Sequence, residues 1–306
     1  MTDQPPLEGS PQDLRLAPAV GCALTFGVFI LWNIGVLLVH FLFMLGKGSP
    51  DIIGLGLAEV MFLYTLAFSL LVWFALRERN PLATIGLKAE KLSLPRWTVG
   101  VIVGAGGIAI ALGVIALTGD VSLIREAPKP EMHNPVGPFS WPAAILMFAL
   151  FAGEEEIFAR GLLYPMLKRS IGFTGGLLIS SAAFTSLHLL NPQFAPLPAL
   201  EIFLAGVLLC LLRELTGELY LAWGAHFGWN MAQAAAGLPV SGIPVELEPQ
   251  GWHLAASGPD WLTGGTFGLE GGLGGILATA LLIAVTGVLV ARKHRQQAGQ
   301  ADGRNQ

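Results

Sequence analysis

The chain has 306 residues, of which 53% are hydrophobic and 12% are charged, and its formal net charge is -4. The mean hydropathy is +0.64. Because soluble domains carry roughly 25% charged residues, this composition excludes an ordinary soluble globular protein. A helix that crosses a bilayer needs roughly 20 mostly apolar residues, and the chain offers several stretches of about that length.

Apolar stretches in chain order predict an all-α fold, a polytopic transmembrane helical bundle of about eight spans. Helices are expected because backbone polar groups inside a bilayer must be satisfied within their own segment. Strands of a membrane barrel would alternate polar and apolar residues, and these stretches do not. The predicted spans are residues 18–45, 51–76, 97–118, 141–167, 173–190, 197–213, 219–237 and 272–291.

The distribution of Lys and Arg predicts that both termini lie in the cytoplasm (N-in/C-in). With the N-terminus inside, most of the 17 Lys and Arg residues fall on the inner side. The exceptions are Lys47, Arg125, Lys129 and the intramembrane Arg160. By the positive-inside rule this asymmetry favours an even number of spans, in the cell (inner) membrane. The connections 119–140 and 238–271, rich in Pro or Gly, are predicted to be outer loops.

The spans and their connections divide the chain into four predicted segments. A cytoplasmic tail at 1–17 precedes the N-terminal transmembrane helices 1–3 with their loops, at 18–139. Helices 4–8 occupy residues 140–291 and carry the polar residues that we consider next. A basic cytoplasmic tail follows at 292–306.

Three consecutive carboxylates in the fourth predicted span are the first candidate functional residues. Glu154, Glu155 and Glu156 lie mid-span, where an ionisable side chain is costly and is therefore a functional candidate. Glu156 and Arg160 are four residues apart, so they share a helix face and are expected to pair. Glu155 points away from that partner, as suits a general base. The alternative interpretation is a helix-packing ion pair with Glu154 at a wet edge.

Polar residues in two further spans extend the set. His188, near the end of the fifth span, shares a helix face with Phe184. Taken alone, such a histidine is more often a packed or interfacial residue than a catalyst. His226 and Asn230 in the seventh span are four residues apart and also share a face. Their alternative interpretation is an interhelical hydrogen-bonding pair that holds spans together.

Other polar or small residues in the spans receive a structural interpretation. Gly100 and Gly104 have small-xxx-small spacing, which predicts close packing of the third span against a neighbouring helix. Glu201 is single, lies near a predicted span end and has no obvious partner in the sequence. Glu214 is predicted to belong to a solvated cluster at a short cytoplasmic turn.

The helices that carry these candidates could converge on one polar pocket within the bilayer. The set contains a base (Glu155), proton carriers (His188 and His226) and a neutral amide donor (Asn230). Such groups activate water and stabilise a tetrahedral oxyanion. Two His and one Glu are also the ligand set of a catalytic zinc site, although no H-E-x-x-H run occurs. The residues by themselves leave a metal and a carboxylate base as alternatives.

Taken together, the three motifs resemble those of the CPBP family. This family comprises the type II CAAX prenyl endopeptidases and the bacteriocin-processing, lysostaphin-resistance-like and bacteriocin-immunity membrane proteins. The motifs occur in the family's order, each in a predicted transmembrane helix, and the segment 266–271 also looks like a family feature. The resemblance covers residues 140–290. The motifs are Glu155-Glu156-x-x-x-Arg160, Phe184-x-x-x-His188 and His226-x-x-x-Asn230.

The resemblance implies a catalytic role for residues at the motif positions. Glu155, as the first of the paired acids, would activate the attacking water with help from His188. His226 and Asn230 would stabilise the oxyanion. The additional acid Glu154 makes the run three residues long, so the pair is aligned through the arginine of the first motif.

The resemblance also bears on the electrostatic support of the site and on cofactors. Glu156 and Arg160 would support the site structurally and electrostatically. A glutamate-dependent intramembrane protease that requires no cofactor is favoured. A metalloprotease is the alternative, with zinc held by Glu155, His188 and His226.

The sequence therefore predicts an intramembrane CAAX-type endopeptidase that hydrolyses a peptide bond of a membrane-associated protein or peptide. Its expected partners are the lipid bilayer and that membrane protein or peptide substrate, and nucleic acid is not among them. One alternative is a non-catalytic immunity or scaffold protein of the membrane. Another is a transporter or proton relay built on the buried acids and histidines, against which the sequence shows no internal repeat and no paired broken helices.

Overall fold

A computed structural model describes residues 81–88, 90–126, 139–189 and 191–302, and these residues are mostly helical. The predicted tail at 1–17 and the predicted spans at 18–45 and 51–76 lie outside the described residues. The helices are α1 (Pro81–Ile85), α2 (Ser93–Thr118), α3 (Trp141–Glu156), α4 (Tyr164–Ser186), α5 (Pro196–Thr216), α6 (Tyr220–Ala235), α7 (Asp260–Thr263) and α8 (Leu273–Asp302).

Within the described part of the chain, three helices are long and apolar enough to cross a membrane. They are α2, α5 and the portion Leu273–Gln300 of α8. The sequence places spans at 97–118, 197–213 and 272–291, so these three predictions agree with the structure. The prediction of a helical membrane protein is confirmed at this level. The predicted spans 141–167, 173–190 and 219–237 are also mostly helical, but α6 has 16 residues and the α3–α4 region carries several charges.

The long helices pack against one another as a bundle. Helix α2 packs most extensively on α6, and α6 also contacts α3 and α5. Helix α8 contacts α2 and α5, and α5 contacts α4. This arrangement brings residues from α3, α4 and α6, which lie far apart in the sequence, to the same part of the bundle.

The chain from α3 to α4 is one helical run with two irregularities. A π-helical segment, Ile157–Leu163, directly follows Glu156. Gly172 then adopts φ 81° and ψ 176°, which breaks the helix between the predicted spans 141–167 and 173–190. A π-helical turn widens the backbone and often occurs at functional sites. Here it begins one residue after the paired acids and contains Arg160.

Short strands connect the two long loops, which the all-α prediction treated as irregular. Strand β1 (Asp120–Ile124) pairs antiparallel with β4 (His253–Ser257), so that Asp120 lies opposite Ser257. Strand β2 (Phe139–Ser140) pairs parallel with β3 (Leu247–Glu248). These strands have two to five residues, which is too short for a period-two pattern to stand out in the sequence.

Glycines allow the close approach of α2 and α6. A Cβ atom built on Gly100 would collide with the carbonyl oxygen of Leu221, and one on Gly104 with that of Ala225. The predicted close packing at Gly100 and Gly104 is therefore confirmed. Because α6 carries His226 and Asn230, this contact fixes the position of two candidate residues.

We expect the variant Gly104→Ala to unfold at a lower temperature than the wild-type protein. The added methyl group would force the backbones of α2 and α6 apart, and overpacking of this kind costs about 1–3 kcal/mol. Thermal unfolding of the detergent-solubilised protein measures the effect. Gly106→Ala is the matched control on the same helix, because a Cβ on Gly106 meets nothing within 4 Å. Equal unfolding temperatures for the two variants would contradict the packing argument.

Glu214 joins three helices near the C-terminal end of α5. Its Oε1 accepts hydrogen bonds from Lys168 Nζ at 2.6 Å and His294 Nε2 at 2.9 Å. Its Oε2 accepts one from the Tyr164 hydroxyl at 2.8 Å. The Glu214 side chain is only 12% exposed. The prediction of a solvated Glu214 is wrong, because donors from α4 and α8, distant in sequence, surround the carboxylate.

Candidate active site

A buried ion pair lies at the junction of α3 and the π-helical segment. Glu156 Oε1 accepts a hydrogen bond from Arg160 Nη1 at 2.8 Å, and both side chains are 0% exposed. The four-residue spacing predicted this pair. Arg160 also donates from Nη2 to the carbonyl oxygen of Gly206 at 3.2 Å, and its guanidinium lies 4.1 Å from the centre of the Phe184 ring. The positive charge is therefore held by groups from α3, α4 and α5.

His226 lies between the paired acids. Its Nδ1 is 3.0 Å from Glu156 Oε1, and since a carboxylate only accepts, Nδ1 carries a proton and donates it. Its Nε2 is 3.8 Å from Oε2 of Glu155. The Glu155 side chain is 24% exposed and the His226 side chain 11%. The sequence predicted that Glu155 points away from Arg160 but identified no partner for it. In the structure, the neighbour of Glu155 is Nε2 of His226.

His188 follows Phe184 by four residues and contacts its ring. Its Nδ1 donates to the carbonyl oxygen of Phe184 at 3.1 Å, which leaves Nε2 as an acceptor in the neutral ring. The Phe184 ring centre is 5.0 Å from that of His188 and 5.8 Å from that of His226. In the described part of the chain, no hydrogen bond or ion pair joins His188 to Glu155. Phe184 therefore contacts both imidazoles.

A cavity of about 50 Å³ brings several of the candidate residues together. His188, His226 and Asn230 line it, and Glu155 and Glu156 contact His226 from outside the lining. Among the described residues, the side chain of Asn230 forms no hydrogen bond. The space is large enough for a water molecule or a small polar group.

Two carboxylates that sequence reasoning did not select also line the cavity. Glu201 is 1% exposed and accepts a hydrogen bond from the Thr279 hydroxyl at 2.7 Å. Glu270 is 5% exposed and lies in the turn Leu269–Gly271 before α8. The prediction that Glu201 has no obvious partner is wrong, because its partner lies 78 residues further along the chain. The signal for Glu270 was present in the segment 266–271, which resembled a family feature.

The zinc alternative requires Glu155, His188 and His226 to converge on one point. In residues 81–302, apart from the undescribed gaps, no three His, Cys, Asp or Glu side chains form a group that could hold a metal ion. The three residues therefore do not fit a zinc site, and no step proposed below passes through a metal.

A comparison with models of protein families gives one match, in the middle of the chain. Residues 137–232 match the family model described as type II CAAX prenyl endopeptidase Rce1-like. The match supports membership of the CPBP intramembrane proteases. It covers Glu155, Glu156, Arg160, His188, His226 and Asn230, and it ends before Glu270. Searches of curated proteins and of solved structures gave no match. Residues 137–232 of this helical membrane protein are thus similar to a family of membrane proteases.

Proposed function

We propose that this protein is an intramembrane endopeptidase that hydrolyses a peptide bond of a membrane-associated protein or peptide, with a water molecule activated by Glu155. The observation that carries this proposal is the placement of His226. The matched family segment holds its ring between Glu156 at Nδ1 and Glu155 at Nε2, beside a cavity that Asn230 lines.

The pair of Glu156 and Arg160 orients His226. Glu156 accepts the Nδ1 proton, and Arg160 balances the charge of that carboxylate, both side chains being 0% exposed. The 3.8 Å between His226 Nε2 and Glu155 Oε2 is too long for a direct hydrogen bond. One water molecule can contact both groups, and this water is the proposed nucleophile.

The proposed reaction begins when Glu155 accepts a proton from this water as its oxygen attacks the scissile carbonyl carbon. His188 Nε2, left as an acceptor by the bond at Nδ1, assists by accepting a hydrogen bond from this water. The oxyanion that forms is stabilised by the Asn230 amide and by His226, whose protonated ring donates at both nitrogens. Glu155 then returns the proton to the leaving nitrogen as the carbon–nitrogen bond breaks.

The proposed topology follows the apolar stretches and the Lys and Arg distribution. We place about eight spans in the cell (inner) membrane, with both termini in the cytoplasm. Helices 4–8, at residues 140–291, form the proposed protease domain, and helices 1–3 at 18–139 precede it. The Glu214 cluster then lies towards the cytoplasm, and the loops paired by β1 and β4 lie outside.

Cleavage of a peptide library by the purified full-length protein, with and without a chelator, tests the proposal. We expect cleavage at defined peptide bonds, equal in both conditions, because the described residues form no metal-binding group. Loss of cleavage with the chelator and its return with zinc would contradict the glutamate mechanism. A protein that cleaves nothing but keeps its cellular effect would support a scaffold, and flux in proteoliposomes would support a transporter.

A further inference from the structure

Glu270 binds three donors with one buried carboxylate. Its Oε1 accepts a hydrogen bond from the Trp229 indole nitrogen at 3.0 Å. Its Oε2 accepts two from Ser241, at 2.6 Å from the backbone nitrogen and 2.8 Å from the hydroxyl. Glu270 thus joins the turn before α8 to helix α6 and to the loop after α6.

Both partners of Glu270 lead directly to residues of the proposed site. Trp229 immediately precedes Asn230 on α6, so the hydrogen bond to its indole fixes the helix at that point. The Ser241 carbonyl accepts a hydrogen bond from the Asn191 side chain at 2.9 Å. The backbone nitrogen of Asn191 in turn donates to the carbonyl oxygen of His188 at 3.0 Å. Two short chains of contacts therefore connect Glu270 to Asn230 and to His188.

The loop that carries Ser241 has an unfavourable backbone conformation, which its hydrogen bonds to Glu270 help to stabilise. Ser241 has φ 50°, a left-handed conformation that is unfavourable for residues other than glycine. Gly242 follows with φ 82° and donates from its backbone nitrogen to the Phe267 carbonyl at 2.9 Å. A Cβ on Gly242 would collide with the carbonyl oxygen of Pro192. The loop is thus pressed against the end of the segment that bears His188.

The chemistry of the three donors calls for a carboxylate. A carboxylate only accepts hydrogen bonds, and it can satisfy Trp229 and Ser241 with different oxygens. A glutamine of the same size would direct its NH₂ group at one of these donors and lose that bond. Buried hydrogen bonds to charged groups contribute more than those between neutral groups.

We propose that Glu270 is a positioning residue of the peptidase, which sets the distance and orientation of His188 relative to Asn230 across the cavity. This inference rests on the proposed function. Glu270 lines the cavity itself, and its hydrogen bonds to Trp229 and Ser241 carry the proposed positioning.

The variant Glu270→Gln tests this role in the full-length protein through the kinetics of peptide cleavage. We expect kcat to fall on the order of 10- to 100-fold, because small displacements of catalytic groups have effects of this size. KM should change less than about threefold, since Glu155 and the ion pair of Glu156 with Arg160 keep their contacts. Ser241→Ala and Trp229→Phe, which each remove part of the network, should lower kcat in the same direction by smaller factors.

Glu214→Gln is the matched control, because it also weakens a largely buried carboxylate with three partners, near the C-terminal end of α5. It should lower the unfolding temperature and leave kcat unchanged. A double-mutant cycle adds a second readout: Asn191→Ala and Glu270→Gln should be non-additive in kcat, as residues of one network are. Glu214→Gln should combine additively with Glu270→Gln.

The outcomes separate the inference from the proposed function. If the wild-type protein cleaves and Glu270→Gln loses only thermal stability, the carboxylate is purely structural and the inference is overturned. If Glu270→Gln does not fold, unchanged kcat in both Ser241→Ala and Trp229→Phe overturns it equally. If the wild-type protein cleaves no peptide, the proposed function fails, and the positioning role falls with it.

Discussion

Replacing Glu155 by Gln is expected to lower kcat for peptide cleavage by about 10²- to 10⁴-fold, the contribution typical of a general base. The amide cannot accept the proton of the attacking water. The fold should be unaffected, because Glu155 is 24% exposed and takes no part in the ion pair with Arg160. Cleavage of a reporter peptide and thermal unfolding of the same sample measure the two effects.

Glu154→Gln is the control for this experiment, since it makes the same chemical change one residue earlier. We expect it to retain kcat, because the pairing of Glu156 with Arg160 places Glu155 as the acid beside His226 Nε2. Full cleavage by Glu155→Gln would refute its role as base. A larger loss in Glu154→Gln than in Glu155→Gln would show that the three-acid run is used in a different register.

Replacing Arg160 by Met should destabilise the protein by about 3–5 kcal/mol, as removal of one member of a buried ion pair does. Glu156 is 0% exposed, so its carboxylate would keep no compensating cation next to it. The variant also lacks the hydrogen bond from Arg160 to Gly206 and the contact of its guanidinium with Phe184. The measurement is the fraction of folded protein after detergent extraction, together with its unfolding temperature.

The double variant Glu156→Gln with Arg160→Met distinguishes charge from packing. It leaves no unpaired charge, and the Gln oxygen can still accept the Nδ1 proton of His226. We therefore expect most of the lost stability to return. If the double variant is as unstable as Arg160→Met alone, the contacts of the guanidinium with Gly206 and Phe184, rather than charge balance, dominate its contribution.

Local patterns in the sequence predicted contacts that depend on one helix or one pair of helices. The spacing of Glu156 and Arg160 predicted their ion pair, because residues four apart lie on one face of a helix. The small residues Gly100 and Gly104 predicted the close approach of α2 to a neighbour. The apolar stretches at 97–118, 197–213 and 272–291 predicted membrane-spanning helices, because the thickness of the bilayer fixes their length.

Contacts between distant segments could not be predicted in the same way. The Glu201 carboxylate finds Thr279 on α8, and Glu270 finds Trp229 on α6. Nothing in the sequence near Glu201 reveals its partner, because the register between two packed helices depends on all of the side chains between them. The short β1–β4 pair has the same origin, since its strands are too short to stand out and form only when the bundle brings both loops together.

The sequence by itself determined that this protein is helical and lies in a membrane, and which polar residues are costly enough there to be candidates for function. Only the tertiary structure decided how these residues meet. It placed His226 between Glu155 and Glu156, brought Phe184 into contact with both His226 and His188, and joined Glu270 to Trp229, the residue before Asn230. The physical reason is that hydrophobicity and helix periodicity act along the chain, whereas the geometry of a site depends on how separate helices pack.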